Sequence, residues 1–111
     1  MPTAVDNYFG RLLLNVAGLN AKFPDGNEPF QIMTRLCEEA GELAKAVNHI
    51  EGSGIKIEKC GPPDRAHLAE EIHHLLRAAL GVAIHYGLIE DVKRSIDRSN
   101  ARLRSDGYLP E

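Results

Sequence analysis

The sequence predicts an all-α domain: a four-helix chain forming a helical bundle whose core is completed by oligomerisation. Three observations lead there. Apolar residues recur at steps of three and four through most of the chain, the period of a helix face and not the alternation of a strand. Glycine and proline gather at a few places and cut the chain into stretches of helical length. A chain of 111 residues suffices for one core but not for two, so residues 1–111 are read as a single domain.

The first helix rests on Val5, Tyr8, Phe9, Leu12, Leu13, Val16 and Leu19, which share one helical face. The stretch KFPDGNEP, residues 22–29, then gathers Pro, Gly, Asp and Asn and forces a turn. A second helix is expected from about Phe30 to Ile50, with Leu36, Ala40, Leu43, Val47 and Ile50 in one stripe, ending near Gly52. Residues 52–63 (GSGIKIEKCGPP) hold three glycines and a proline pair and read as a connector, in which Ile55 and Ile57 could make a short extended piece. Pro62 and Pro63 suit the start of a third helix, where a missing N–H costs nothing, and Asp64 sets a negative charge at its positive end. That helix carries Leu68, Ile72, Leu75, Leu76, Ala79 and Ala83 on its apolar face and stops near Gly87. Ile89, Val92, Ile96 and Leu103 define a fourth helix, ended by Asp106 and Gly107. Helices two and three, long and joined by one connector, pair antiparallel most simply. Alanines 40, 44 and 79 permit close approach but leave a thin core, and a second copy would supply the missing layer.

Composition narrows the function. Sixteen acidic against thirteen basic residues give a net charge of -3, without the basic excess that polymeric nucleic acid requires. The opening MPTAVDNYFGRLLL has no basic residue ahead of its apolar run, and no apolar stretch approaches membrane-spanning length. Neither secretion nor membrane insertion is expected. Cys37, expected as a buried thiol in a helix, and Cys60, in the connector, make neither a disulfide framework nor a CxxC pair. A reducing, cytoplasmic compartment fits.

Chemistry concentrates in two acidic runs. In RLCEEAGELAKAV, Glu39 and Glu42 lie roughly 60° apart on one edge of the helix, while Glu38 falls farther from the apolar stripe. In HLAEEIHHLLRAAL, Glu71 and His74 share a face one turn apart. Carboxylates crowded on facing helices repel unless a cation neutralises them, and hard divalent ions such as magnesium or manganese take several oxygen ligands. Glu39, Glu42, Glu71 and His74 are therefore the candidate metal ligands.

At these residues the sequence resembles the MazG-like all-α nucleotide pyrophosphohydrolases, whose relatives include the dimeric dUTPases and phosphoribosyl-ATP pyrophosphatase. The family pattern is EExxE, a spacer, then ExxD. EEAGE at Glu38 to Glu42 matches the first half, whereas Glu71-Ile72-His73-His74 sets a histidine where the family has aspartate. The similarity covers most of the chain, from the KFP turn to the closing DRSNARLRSDG. It implies Glu39, Glu42 and Glu71 as ligands of Mg2+ or Mn2+, with His74 in the fourth ligand's place and Glu38 orienting or activating the attacking water. It also implies Lys93, Asn100 and Arg102 as contacts to substrate phosphates, and assembly as a dimer or tetramer. The implied reaction is attack of water on the phosphate chain of a nucleoside triphosphate, releasing the monophosphate and pyrophosphate. The alternative is a MazG-like module that binds metal or nucleotide and regulates without turnover, since His74 replaces the family aspartate.

Other residues take plainer readings. His67, Glu71 and His74 could instead form a nitrogen-rich site for a transition metal. His73 and His85 are expected at solvent or an interface, and His49 near the end of helix two without chemistry. Arg35, one turn before Glu39, is expected as its surface ion-pair partner. Phe23 and Phe30 flank the turn and read as core, interface or base-stacking residues.

Overall fold

A computed structural model describes residues 4–52 and 61–110. Four helices follow one another, α1 Ala4–Lys22, α2 Pro29–Ile50, α3 Arg65–His85 and α4 Ile89–Ser105, with no strand among the described residues. The expected extended piece at Ile55 and Ile57, and Cys60, lie outside the described residues.

Local chemistry sets the helix ends. Pro29 stands in the first turn of α2, where its absent N–H is no loss, and the Gln31 side chain accepts the Glu28 N–H at 3.1 Å. The Arg35 guanidinium donates to the Gly26 carbonyl at 2.9 Å and to Asn27 Oδ1 at 3.0 Å, and Asn27 Nδ2 donates to the Phe23 carbonyl at 3.0 Å. Arg35 thus knits the turn before α2 and does not make the expected ion pair with Glu39. At α3 the prolines precede the helix instead of opening it. Asp64 is the cap, its carboxylate accepting the N–H groups of Ala66 at 3.0 Å and His67 at 3.2 Å. Gly87, at a φ of 67°, ends α3: its N–H reaches the Ile84 carbonyl at 3.1 Å and the Leu88 N–H reaches that of Ala83 at 2.8 Å. This left-handed glycine cap is repeated after α4 at Gly107.

α2 and α3 form the principal antiparallel pair, α1 packs on α3, and α4 touches only α3. The pairing has one register. Glu39 faces His74 across the seam, and seven residues along each helix a Cβ at Gly81 would meet Ile32 Cγ2 at 3.8 Å. The α2 face turned inward therefore runs Ile32, Leu36, Glu39, Leu43, Ala46 and Ile50, whereas Ala40 and Val47, expected in the stripe, are exposed. The stripe is rotated because Glu39, polar and so not counted as apolar, occupies one of its inward positions. On α3 the buried residues are Glu71, Leu80 and Ala83, while Ile72, Leu76 and Ala79, also expected inside, point outward. α3 lies between two neighbours, and its inner arc takes in His73, whose Nε2 meets Asn15 Oδ1 of α1 at 3.1 Å. His49 Nε2 meets the Gly61 carbonyl at 2.7 Å and ties the end of α2 to the approach to α3. His49 and His73 thus hold elements together.

All four expected helices form, α1, α2 and α3 packing together and α4 joining them through α3 alone. The chain bends by 118° between α3 and α4, and no residue of α4 is buried. The core is small: Val16, Ile32, Ala46, Leu80 and Ala83, with no large side chain fully buried among the described residues. The radius of gyration, 17.2 Å, exceeds the roughly 13 Å of a compact chain of this length, as an outlying helix requires.

Asp64 satisfies two N–H groups that no other described side chain reaches. Asp64→Ala is expected to lower stability by about 1 kcal/mol, and Asp64→Asn by a few tenths, read from urea unfolding followed by helical circular dichroism.

Candidate metal centre

The α2–α3 register brings three predicted ligands together. One donor atom each from Glu39, Glu71 and His74 can be chosen so that all lie within 4.8 Å of one another. His74 Nδ1 is 3.5 Å from Glu39 Oε2 and 3.9 Å from Glu71 Oε2. Glu39 projects from α2 at an inward position seven residues from both Ile32 and Ala46, so a carboxylate stands where the seam would otherwise take an apolar side chain. Glu71, one turn before His74 on α3, is only 6% exposed, and its Oε2 is buried without a hydrogen-bond partner.

A buried carboxylate oxygen with no donor is costly, because water's hydrogen bonds are lost and nothing replaces them. Such an atom needs a cation or a donor. Two carboxylates and an imidazole converging from two rigid helices are a donor set suited to a divalent ion, and the imidazole adds affinity for transition metals over magnesium.

The other predicted site residues stand apart from this cluster. Glu42 is level with Glu71 in the register, but its side chain is half exposed and meets Lys45 Nζ at 3.4 Å. Glu38 is exposed on the outer side of α2, where it lines a shallow depression with Phe30, Met33, Thr34 and Cys37. Cys37 is exposed, against the expectation of a buried thiol, because it lies on this outer face. His67 is exposed, its Nε2 3.8 Å from Glu71 Oε1 and its Nδ1 4.0 Å from Glu70 Oε2. It borders the cluster and does not belong to the mutually close set. Lys93 pairs with Glu90 at 3.2 Å, and Asn100 and Arg102 are exposed on α4.

A cavity of about 260 Å³ opens between α1, α2 and α3, and Glu39 and His74 form part of its wall. From them it runs along α3 as far as His85, about 16 Å at the helical rise. Val16, Leu19, Phe23, Ile32 and Ile84 give it apolar walls. Asn20, Arg35, Arg77 and His85 add polar groups. Sequence reasoning passed over Arg77, although an arginine one turn beyond His74 among leucines and alanines was the available signal. Phe30, by contrast, is 88% exposed on the opposite side of α2 and takes no part.

The chain matches no protein-family profile, no curated protein and no solved structure.

The unpartnered Glu71 oxygen carries a prediction for the metal-free chain. Glu71→Met keeps the length of the side chain and removes the buried charge. In chelator it is expected to raise stability by roughly 1 kcal/mol or more, measured by urea unfolding. A loss of stability would mean that the buried carboxylate is already compensated.

Proposed function

We propose that this chain is a metal-dependent nucleotide pyrophosphohydrolase of the MazG-like kind, converting a nucleoside triphosphate to the monophosphate and pyrophosphate in the cytoplasm. The observation that carries the reading is the buried, unpartnered Glu71 carboxylate, flanked by Glu39 and His74 at the edge of a cavity. Its support is that two facing helices supply the EExxE and ExxH runs the resemblance singled out, and that three of the four proposed ligands converge.

In this reading Glu39, Glu71 and His74 hold Mg2+ or Mn2+. Glu42, level with Glu71, exchanges its surface contact with Lys45 for the fourth place. That exchange is cheap, since an exposed ion pair is worth about 0–1 kcal/mol. The ion supplies acidification of water and neutralisation of phosphate charge. The resemblance gives Glu38 the orienting of water, and from its exposed place on the outer side of α2 the side chain would have to turn toward the ion to do so.

Calorimetry with each metal, followed by a pyrophosphate-release screen over ribo- and deoxyribonucleoside triphosphates, tests the reading. The parent chain is expected to bind manganese more tightly than magnesium and to release pyrophosphate. Glu39→Gln should lose both properties with the helical fold intact. His74→Asp should gain magnesium affinity, because a carboxylate suits that ion better than an imidazole. Metal binding without turnover by either the parent or His74→Asp would identify the non-hydrolytic regulatory alternative. No metal binding at all would remove the reading.

Assembly is part of the same proposal. Phe30, Met33 and Val47 on the outer face of α2, and Ile72 and Leu76 on that of α3, are large apolar side chains left exposed by a small core. A second copy placed against these faces would bury them and thicken the core. Light scattering at micromolar concentration is expected to give at least twice the 12.2 kDa chain mass. A monomer would refute the assembly.

A further inference from the structure

We propose that Arg77 is a substrate-binding residue, the group in this chain that grips the phosphate oxygens of the ligand next to the metal. The inference rests on the pyrophosphohydrolase reading and moves phosphate recognition from α4, where the resemblance put it, to the inner face of α3.

Four observations converge on Arg77. First, it lines the cavity that Glu39 and His74 also line, and its side chain is half-buried there. Second, it has no carboxylate or carbonyl partner among the described residues, unlike Arg35, the other arginine of the cavity wall, which is bound to Gly26 and Asn27. The five N–H donors of Arg77 are thus free of any protein acceptor among the described residues and open to an anion that enters the cavity.

Third, Arg77 is three residues beyond His74, about 4.5 Å along the helix axis and roughly 60° around it. A phosphate chain in contact with an ion held by His74 therefore passes within reach of the guanidinium. Fourth, the candidates on α4 are poorly placed: Lys93 is paired, and Asn100 and Arg102 lie on a helix that lines no part of the cavity. The planar fork of arginine accepts two phosphate oxygens side by side, which a lone ammonium cannot do. A divalent ion held by the carboxylates and His74 and a guanidinium one turn farther along α3 would together take up the charge of a phosphate chain.

The test uses the full chain loaded with manganese and inorganic tripolyphosphate as the probe, titrated calorimetrically. Arg77→Gln, Arg77→Lys and Arg94→Gln are compared, the last removing an equal charge outside the cavity. Arg77→Gln is expected to weaken tripolyphosphate binding about 10- to 100-fold, with manganese affinity unchanged or slightly tighter. Arg77→Lys keeps the charge without the fork and should lose several-fold. Arg94→Gln should match the parent. The thermal midpoint of each variant is read on the same preparation, and Arg77→Lys carries the test if Arg77→Gln does not fold.

Equal tripolyphosphate binding by the parent and the foldable Arg77 variant overturns the inference and leaves the pyrophosphohydrolase reading standing. Loss of manganese binding in Arg77→Gln also overturns it, since Arg77 would then be bracing the carboxylates. A manganese-loaded parent that ignores tripolyphosphate overturns both.

Discussion

Because Glu39 and Glu71 occupy inward positions of the α2–α3 seam, the pairing of these helices must accommodate two carboxylates in a layer that apolar side chains would otherwise fill. A seam of this kind gains less from burial than an all-apolar one, and the shortfall is visible in the core, which rests on two valine- or isoleucine-sized residues, one leucine and two alanines. The register has to be held by other means. Arg35 fixes the turn ahead of α2, Asp64 caps α3, and His49 joins the far end of α2 to Gly61. Each is a polar contact at a helix end. Together they fix the phase of the two helices while leaving the middle of the seam to the cluster.

α1 completes the arrangement without sealing it. Its contact with α3 includes the Asn15–His73 pair and buried Val16, and alongside them runs the cavity that begins at Glu39 and His74. An opening bordered by apolar walls and a few polar groups is the usual form of a small-molecule site. Here it sits beside the Glu71 carboxylate, whose buried oxygen has no hydrogen-bond partner, and takes the Arg77 guanidinium into its wall. A buried oxygen without a donor costs the fold stability.

Helix limits were legible because they are local. Pro29, Asp64, Gly87 and Gly107 act through the backbone within a few residues, and the helices start and stop beside them. The pairing of Glu39 with Glu71 and His74 was legible for a similar reason, since helical spacing places them on facing edges once α2 and α3 are antiparallel. What the sequence did not yield was the rotation of each helix. Counting apolar residues put Ala40 and Val47 inside α2 and Ile72 and Leu76 inside α3, yet Glu39 and Glu71 took inward places and turned those residues out. The amphipathic pattern of α4 likewise says that one face is apolar, not that it meets the other helices of this chain. Arg77 was missed because a lone arginine acquires meaning only from the cavity wall it occupies.

The seven-residue correspondence between Ile32 and Glu39 on one helix and His74 and Gly81 on the other bears on how such a chain can change over evolutionary time. Replacing a residue in α2 leaves the phase intact. Inserting or deleting one between Ile32 and Glu39 turns Glu39 by about 100° relative to the residues before it, swinging its carboxylate away from His74 or the upstream half of α2 away from α3. A change of length is therefore better borne in the connectors and termini, where an altered residue count need not alter helical phase. The two helices behave as a ruler, intolerant of altered spacing even where altered composition is harmless.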